Sequence, residues 1–166
     1  TPVEKADVYI LYTVGGYYTE GDTLNTTYTP PSWAVAIAFY PLLSAGIEKW
    51  GKTSVKVEPL SEESFKEAIN HGRFVFVASH GGNPPGGFTV SYTPYKSLIP
   101  SDILPSEAGS NLQYVYLAGC ETNAPGANWQ TTLSSAEVMS FNRTIYVDEH
   151  LLWIWLKSPA VIAKLQ

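Results

Sequence analysis

The chain has 166 residues, 45% hydrophobic and 15% charged, with a net charge of −5. That length suits one domain spanning 1–166, with enough apolar residues for a sizeable core. Ten thinly spread Lys and Arg under an acidic balance argue against a nucleic-acid or anionic-membrane partner, either of which needs a basic patch, and no apolar run approaches the roughly 18–20 residues of a membrane span.

Thr1-Pro2-Val3-Glu4 lacks the character of a signal peptide. A single cysteine, Cys120, makes no internal disulfide and implies no oxidising compartment. Asn25-Thr26-Thr27 and Asn142-Arg143-Thr144 match the short N-glycosylation acceptor pattern. Localisation and oligomeric state stay open.

In chain order, Ala6 to Val14 is β-branched, aromatic and apolar, and stops at Gly15-Gly16; it reads as a first, central strand. Tyr17 to Ser32 is a Gly, Thr, Tyr and Pro loop on the same edge. Ser32 opens a helix from Trp33 to about Trp50, interrupted at Pro41. Ser54 to Glu58 alternates as a short strand. Ser61-Glu62-Glu63-Ser64 opens a second helix, with acidic residues at its positive end, Phe65, Ala68 and Ile69 on its buried face and Gly72 as its stop. Arg73 to Ser79 is a continuous apolar strand that runs into the loop His80-Gly81-Gly82-Asn83-Pro84-Pro85-Gly86-Gly87.

Phe88 to Tyr92 and Lys96 to Ile99 form a small hairpin, Ser101 to Leu104 a short helix start, and Pro105 to Asn111 a linker. Gln113 to Ala118 is the strand that ends at Cys120. A polar loop, a helix over Thr131 to Met139, a strand over Thr144 to Val147 and a final helix opened by Asp148-Glu149 complete the pattern. Such alternation predicts an α/β three-layer sandwich with a mainly parallel central sheet.

Two apolar runs therefore deliver an imidazole and the sole thiol to one edge of the sheet, where sites of open α/β sheets lie. A neighbouring His lowers a thiol's pKa and makes it a nucleophile. Gly81 leaves room for a substrate carbonyl, and its N–H suits an oxyanion. His71 at a helix end and His150 in the last helix read as structural. Three His and one Cys show no zinc spacing, and no dinucleotide, Walker or Gly-x-Ser-x-Gly pattern is present. No cofactor or metal is expected.

An apolar strand with His-Gly, then about 40 residues later a second apolar strand, a small residue and Cys, resembles the caspase-like cysteine peptidases. This superfamily (clan CD) includes caspases, legumains, gingipains, clostripain, separases and CHAT domains. Leu117-Ala118-Gly119-Cys120-Glu121-Thr122-Asn123 is most similar to the CHAT motif Leu-Ser-Ala-Cys-Glu-Thr-Gly, with Gly119 and Asn123 as departures. Ser97 to Leu104 looks like the segment that CHAT domains carry between their motifs. The likeness covers roughly Arg73 to Asn123.

The resemblance implies a caspase–haemoglobinase fold with the His80 strand beside the Cys120 strand. It implies an endopeptidase in which Cys120 attacks a peptide carbonyl, His80 acts as general acid/base, and the Gly81 and Cys120 N–H groups hold the oxyanion. The partner is then a protein or peptide substrate. Asp148 and Glu149 have two readings: a pocket selecting Arg or Lys before the cut, or helix first-turn charges. Glu121 has the same pair of readings, as a rim residue that binds substrate or as a helix-start charge. The alternatives to a peptidase are a catalytically silent binding or regulatory module on the same fold, and a thiol-dependent transferase or amidase.

Overall fold

The computed structural model describes residues 5–13, 17–18, 24–25, 54–82, 84–92, 94–124 and 128–143. The expected helix over Trp33 to Trp50, the strand over Thr144 to Val147, and the last helix with Asp148, Glu149 and His150 lie outside these residues.

Strands β1 (Val8–Tyr12), β4 (Val55–Pro59), β5 (Phe74–Ala78), β8 (Tyr114–Ala118) and β9 (Glu137–Met139) make one sheet in the order β4-β1-β5-β8-β9. Every neighbouring pair is parallel. β2 (Tyr17–Tyr18) pairs antiparallel with β3 (Leu24–Asn25) within the predicted Tyr-rich loop. β6 (Phe88–Tyr92) and β7 (Tyr95–Leu98) form the predicted hairpin, with a register shift between Thr89 and Ser91.

Period-two alternation explains why these runs are apolar throughout. Tyr9, Leu11, Val75, Val77, Val115 and Leu117 face one way, into a cluster with Phe65, Ala68 and Ile69 of helix α1 (Glu62–His71). Phe88, Val90 and Leu98 of the hairpin join it, as does Trp129 of the short helix α2 (Trp129–Thr132). Val8, Ile10, Phe74, Phe76, Tyr114 and Tyr116 point to the opposite face and are buried as well. There Phe74 stacks on Tyr114 with ring centroids 5.5 Å apart, and Phe76 on Tyr116 at 5.2 Å. Each such cross-strand pair adds about 0.5–1.5 kcal/mol beyond its buried area and helps fix the β5–β8 register.

Helix α1 starts where the sequence predicts. The Ser61 hydroxyl accepts from Ser64 N–H at 3.0 Å, and the Ser64 hydroxyl accepts from Ser61 N–H at 2.8 Å. The chain after Cys120 departs from expectation. The helix predicted over Thr131 to Met139 is confined to Trp129–Thr132, and Glu137–Met139 is a strand paired with β8. Ser134 and Ser135 are weak helix formers and Val138 is β-branched, so the open edge of β8 wins the segment. Pro105 to Asn111, predicted as a linker, contains a 3₁₀ turn at Pro105–Glu107, and the predicted helix start before it is a 3₁₀ turn at Pro100–Asp102.

Counted along the chain, the sheet strands among the described residues run 2-1-3-4-5. The direction of winding reverses between β1 and β5, and a crevice opens at such a point beyond the strands' carboxyl ends.

Candidate catalytic site

β5 and β8 are neighbours in register, with Ala78 opposite Ala118. The pairing continues one step further, Ser79 N–H donating to Ala118 O at 3.2 Å. His80 and Cys120 each lie two residues beyond that pair, so two adjacent parallel strands release them at the same level. Neighbouring strands run about 4.8 Å apart.

Glycine lets the two exits close together. A Cβ on Gly81 would collide with the Cys120 carbonyl oxygen and stand 3.0 Å from Gly87 O and 3.1 Å from Thr122 Cγ2. Gly119 is less confined, its nearest neighbours being Ser79 O at 3.0 Å and Thr122 Cγ2 at 3.1 Å. Cys120 then sits in a tight turn. Gly119 N–H donates to Leu117 O at 2.9 Å, and Glu121 adopts a left-handed φ of 49°, a conformation uncommon outside glycine and found at functional turns. The next rungs tie the turn to the segment after β9: Glu121 N–H to Arg143 O at 3.0 Å, Asn123 N–H to Phe141 O at 2.9 Å and Phe141 N–H to the Thr122 hydroxyl at 3.2 Å.

The loop after His80 folds back on the hairpin. Gly81 opposes Phe88 in an isolated antiparallel bridge, flanked by Thr89 N–H to His80 O at 2.8 Å and Gly82 N–H to Gly87 O at 3.3 Å. In such a pair the central residue turns its own N–H outward. The Gly81 N–H accordingly has no acceptor among the described residues. Gly86 N–H donates to Glu121 O at 2.7 Å, and the buried Trp129 donates Nε1–H to Gly86 O at 2.7 Å. One residue, Gly86, thus joins the His80 loop, the Cys120 turn and the core.

His80 is partly buried, with Nε2 shut off from solvent; burial holds its pKa below the ordinary histidine value. Cys120 is also partly buried. Glu121 is exposed, yet its Oε2 lies 2.7 Å from where a Cβ on Gly82 would stand. Its carboxylate therefore reaches from the Cys120 arm to the His80 arm. The structure brings His80, Gly81, Cys120 and Glu121 to one edge; Asp148 falls outside the described residues.

The sequence reading missed three contributors. Thr13, Ser79 and Trp129 had weak signals only: a hydroxyl residue at or next to the end of each of two apolar runs, and a Trp in a polar loop. Among the described residues no group of three or more His, Cys, Asp and Glu is arranged to hold a metal. Two described surface cavities, of about 740 Å³ (Pro84, Pro85, Pro100, Asn128 and neighbours) and about 420 Å³ (Lys66, His71, Glu107 and neighbours), touch neither His80 nor Cys120. No protein-family model, no curated protein and no solved structure matches this chain.

Proposed function

We propose that the protein is a cysteine endopeptidase of the caspase-like kind, with Cys120 as nucleophile and His80 as general acid/base. The observation that carries this reading is the in-register β5–β8 pair, which releases thiol and imidazole from adjacent parallel strands at one level. The arrangement is the one that the resemblance to caspase-like peptidases implies.

Burial keeps the His80 imidazole neutral near pH 7, the form able to accept a proton. His80 takes the Cys120 proton as sulfur bonds to the substrate carbonyl carbon. The carbonyl electrons move onto oxygen, which the outward Gly81 N–H and the Cys120 N–H receive. Collapse breaks the C–N bond, His80 protonates the departing amine, and water hydrolyses the thioester. Glu121, spanning the two arms, favours a basic side chain near the cut.

The test is labelling and turnover. The wild-type chain should bond irreversibly to a peptidyl acyloxymethyl ketone bearing Arg or Lys, and a fluorogenic peptide library should be cleaved. Cys120→Ala should lose both, and His80→Gln should lose turnover at unchanged fold. Full turnover in Cys120→Ala refutes the mechanism.

A second reading, a silent binding module, is favoured by one observation: the His80 Nε2 is shut off from solvent. It predicts a folded wild-type chain that neither labels nor cleaves.

A further inference from the structure

We propose that Thr13 and Ser79 are positioning residues, whose hydroxyls hold the Thr89 carbonyl of the hairpin in the crevice between β1 and β5 and so fix His80 beside Cys120. The proposal rests on the Cys–His reading above.

The winding reversal between β1 and β5 is the place where open α/β sheets bind ligands. Here the chain's own hairpin fills it. Thr13 follows β1 and Ser79 follows β5. The Thr13 hydroxyl donates to Thr89 O at 3.0 Å, and the Ser79 hydroxyl donates to the same oxygen at a shorter contact. Thr13 N–H meanwhile donates to Ala78 O at 3.0 Å. Two strands therefore converge on one carbonyl of a third segment. Thr13, Ser79 and Thr89 are 1%, 5% and 3% exposed, so water does not compete for these bonds.

The grip extends to His80 itself. Thr89 N–H donates to His80 O at 2.8 Å, and the Ser79 hydroxyl lies 3.1 Å from the same oxygen. Thr89 is thus fixed through its carbonyl by two hydroxyls and fixes the His80 peptide through its N–H. A single donor would satisfy a buried carbonyl. The second, from a different strand, adds a direction: it sets the hairpin against both β1 and β5, and with it the loop that carries His80 and Gly81. The Thr89 side chain is held from the far side, its hydroxyl 3.2 Å from the Tyr95 hydroxyl, which in turn accepts from Ser97 at 3.1 Å. Loosening the hydroxyls lets the hairpin lift, admits water to the imidazole and changes its bearing on Cys120.

The experiment uses the full chain and two readouts that core stability alone does not set. One is the His80 titration by NMR, assigned with His80→Gln. The other is the pH profile of iodoacetamide alkylation at Cys120, the only thiol. Ser79→Ala and Thr13→Val should each move the His80 pKa up toward the ordinary histidine value. Each should slow alkylation at pH 7 severalfold, the double variant by about tenfold, as expected for two lost hydrogen bonds. Thr13→Ser, which keeps the hydroxyl, should behave as wild type.

Ile69→Ala, which empties a core position on α1, should lower Tm and leave both readouts unmoved. The proposal is overturned if the folded double variant titrates and alkylates as wild type, or if Ile69→Ala produces the same shifts. Should Ser79→Ala not fold, Thr13→Val against Thr13→Ser decides. If His80→Gln leaves the alkylation profile unchanged, the Cys–His reading falls by itself, and the His80 titration in Thr13→Ser and Thr13→Val still judges the positioning role.

Discussion

Replacing Gly81 by alanine tests the closeness of the two strand exits. The added methyl would collide with Cys120 O and press on Gly87 O at 3.0 Å and Thr122 Cγ2 at 3.1 Å. Two of these neighbours are backbone, so no rotamer change relieves the overlap. Gly81 is not among the glycines with positive φ, and the cost is therefore steric alone. Forcing an extra carbon into a packed position costs about 1–3 kcal/mol. Displacing Gly81 also strains the two hydrogen bonds that flank its bridge to Phe88, each worth about 0.5–1.5 kcal/mol net. A loss of about 2–6 kcal/mol follows, or about 6–18 °C in Tm for a chain of this size. Gly119→Ala is the control, because its Cβ would meet nothing closer than Ser79 O at 3.0 Å and Thr122 Cγ2 at 3.1 Å; it should cost no more than about 1–2 kcal/mol. Calorimetry of the two variants, with Cys120 alkylation alongside, reads the difference. Gly81→Ala as stable and as thiol-reactive as Gly119→Ala would refute the close approach of His80 and Cys120.

Trp129→Phe removes the donor to Gly86 O and shrinks a fully buried ring that packs on Phe65 at 5.6 Å and Phe88 at 5.3 Å; urea unfolding should show a loss of about 2–4 kcal/mol, and Cys120 should become easier to digest around. Ser61→Ala breaks the α1 capping box and should cost about 1 kcal/mol, seen as a lower urea midpoint at unchanged slope. His80 is held neutral by burial, its folded pKa below the unfolded one. Its contribution to stability is thus fully present above the ordinary histidine value and is lost as pH falls toward the folded pKa. Tm measured downward from pH 7 should drop over that window, and His80→Gln should flatten the drop.

Much of the frame was legible because local patterns carried it. β1, β5 and β8 read as unbroken apolar runs since both faces of a parallel sheet are buried. Ser61 and Gly72 bracketed α1 through backbone groups that any isolated helix must satisfy. The same logic placed His80 and Cys120 at strand ends on one edge. The segment Thr131 to Met139 was misread because its periodicity over nine residues suits either element, and the deciding partner, the free side of β8, is remote in sequence.

By itself, then, the sequence determined which segments are buried strands, where α1 begins and which reactive side chains stand just past strand ends. These are properties of burial and backbone valence that each segment expresses locally. Tertiary structure alone decided that β5 and β8 are neighbours with Ala78 opposite Ala118, that Gly81 must be glycine to clear Cys120 O, and that the hairpin occupies the crevice where Thr13 and Ser79 meet Thr89. Register, steric closeness and convergence of donors are relations between distant segments. They exist only once the loops between those segments have closed.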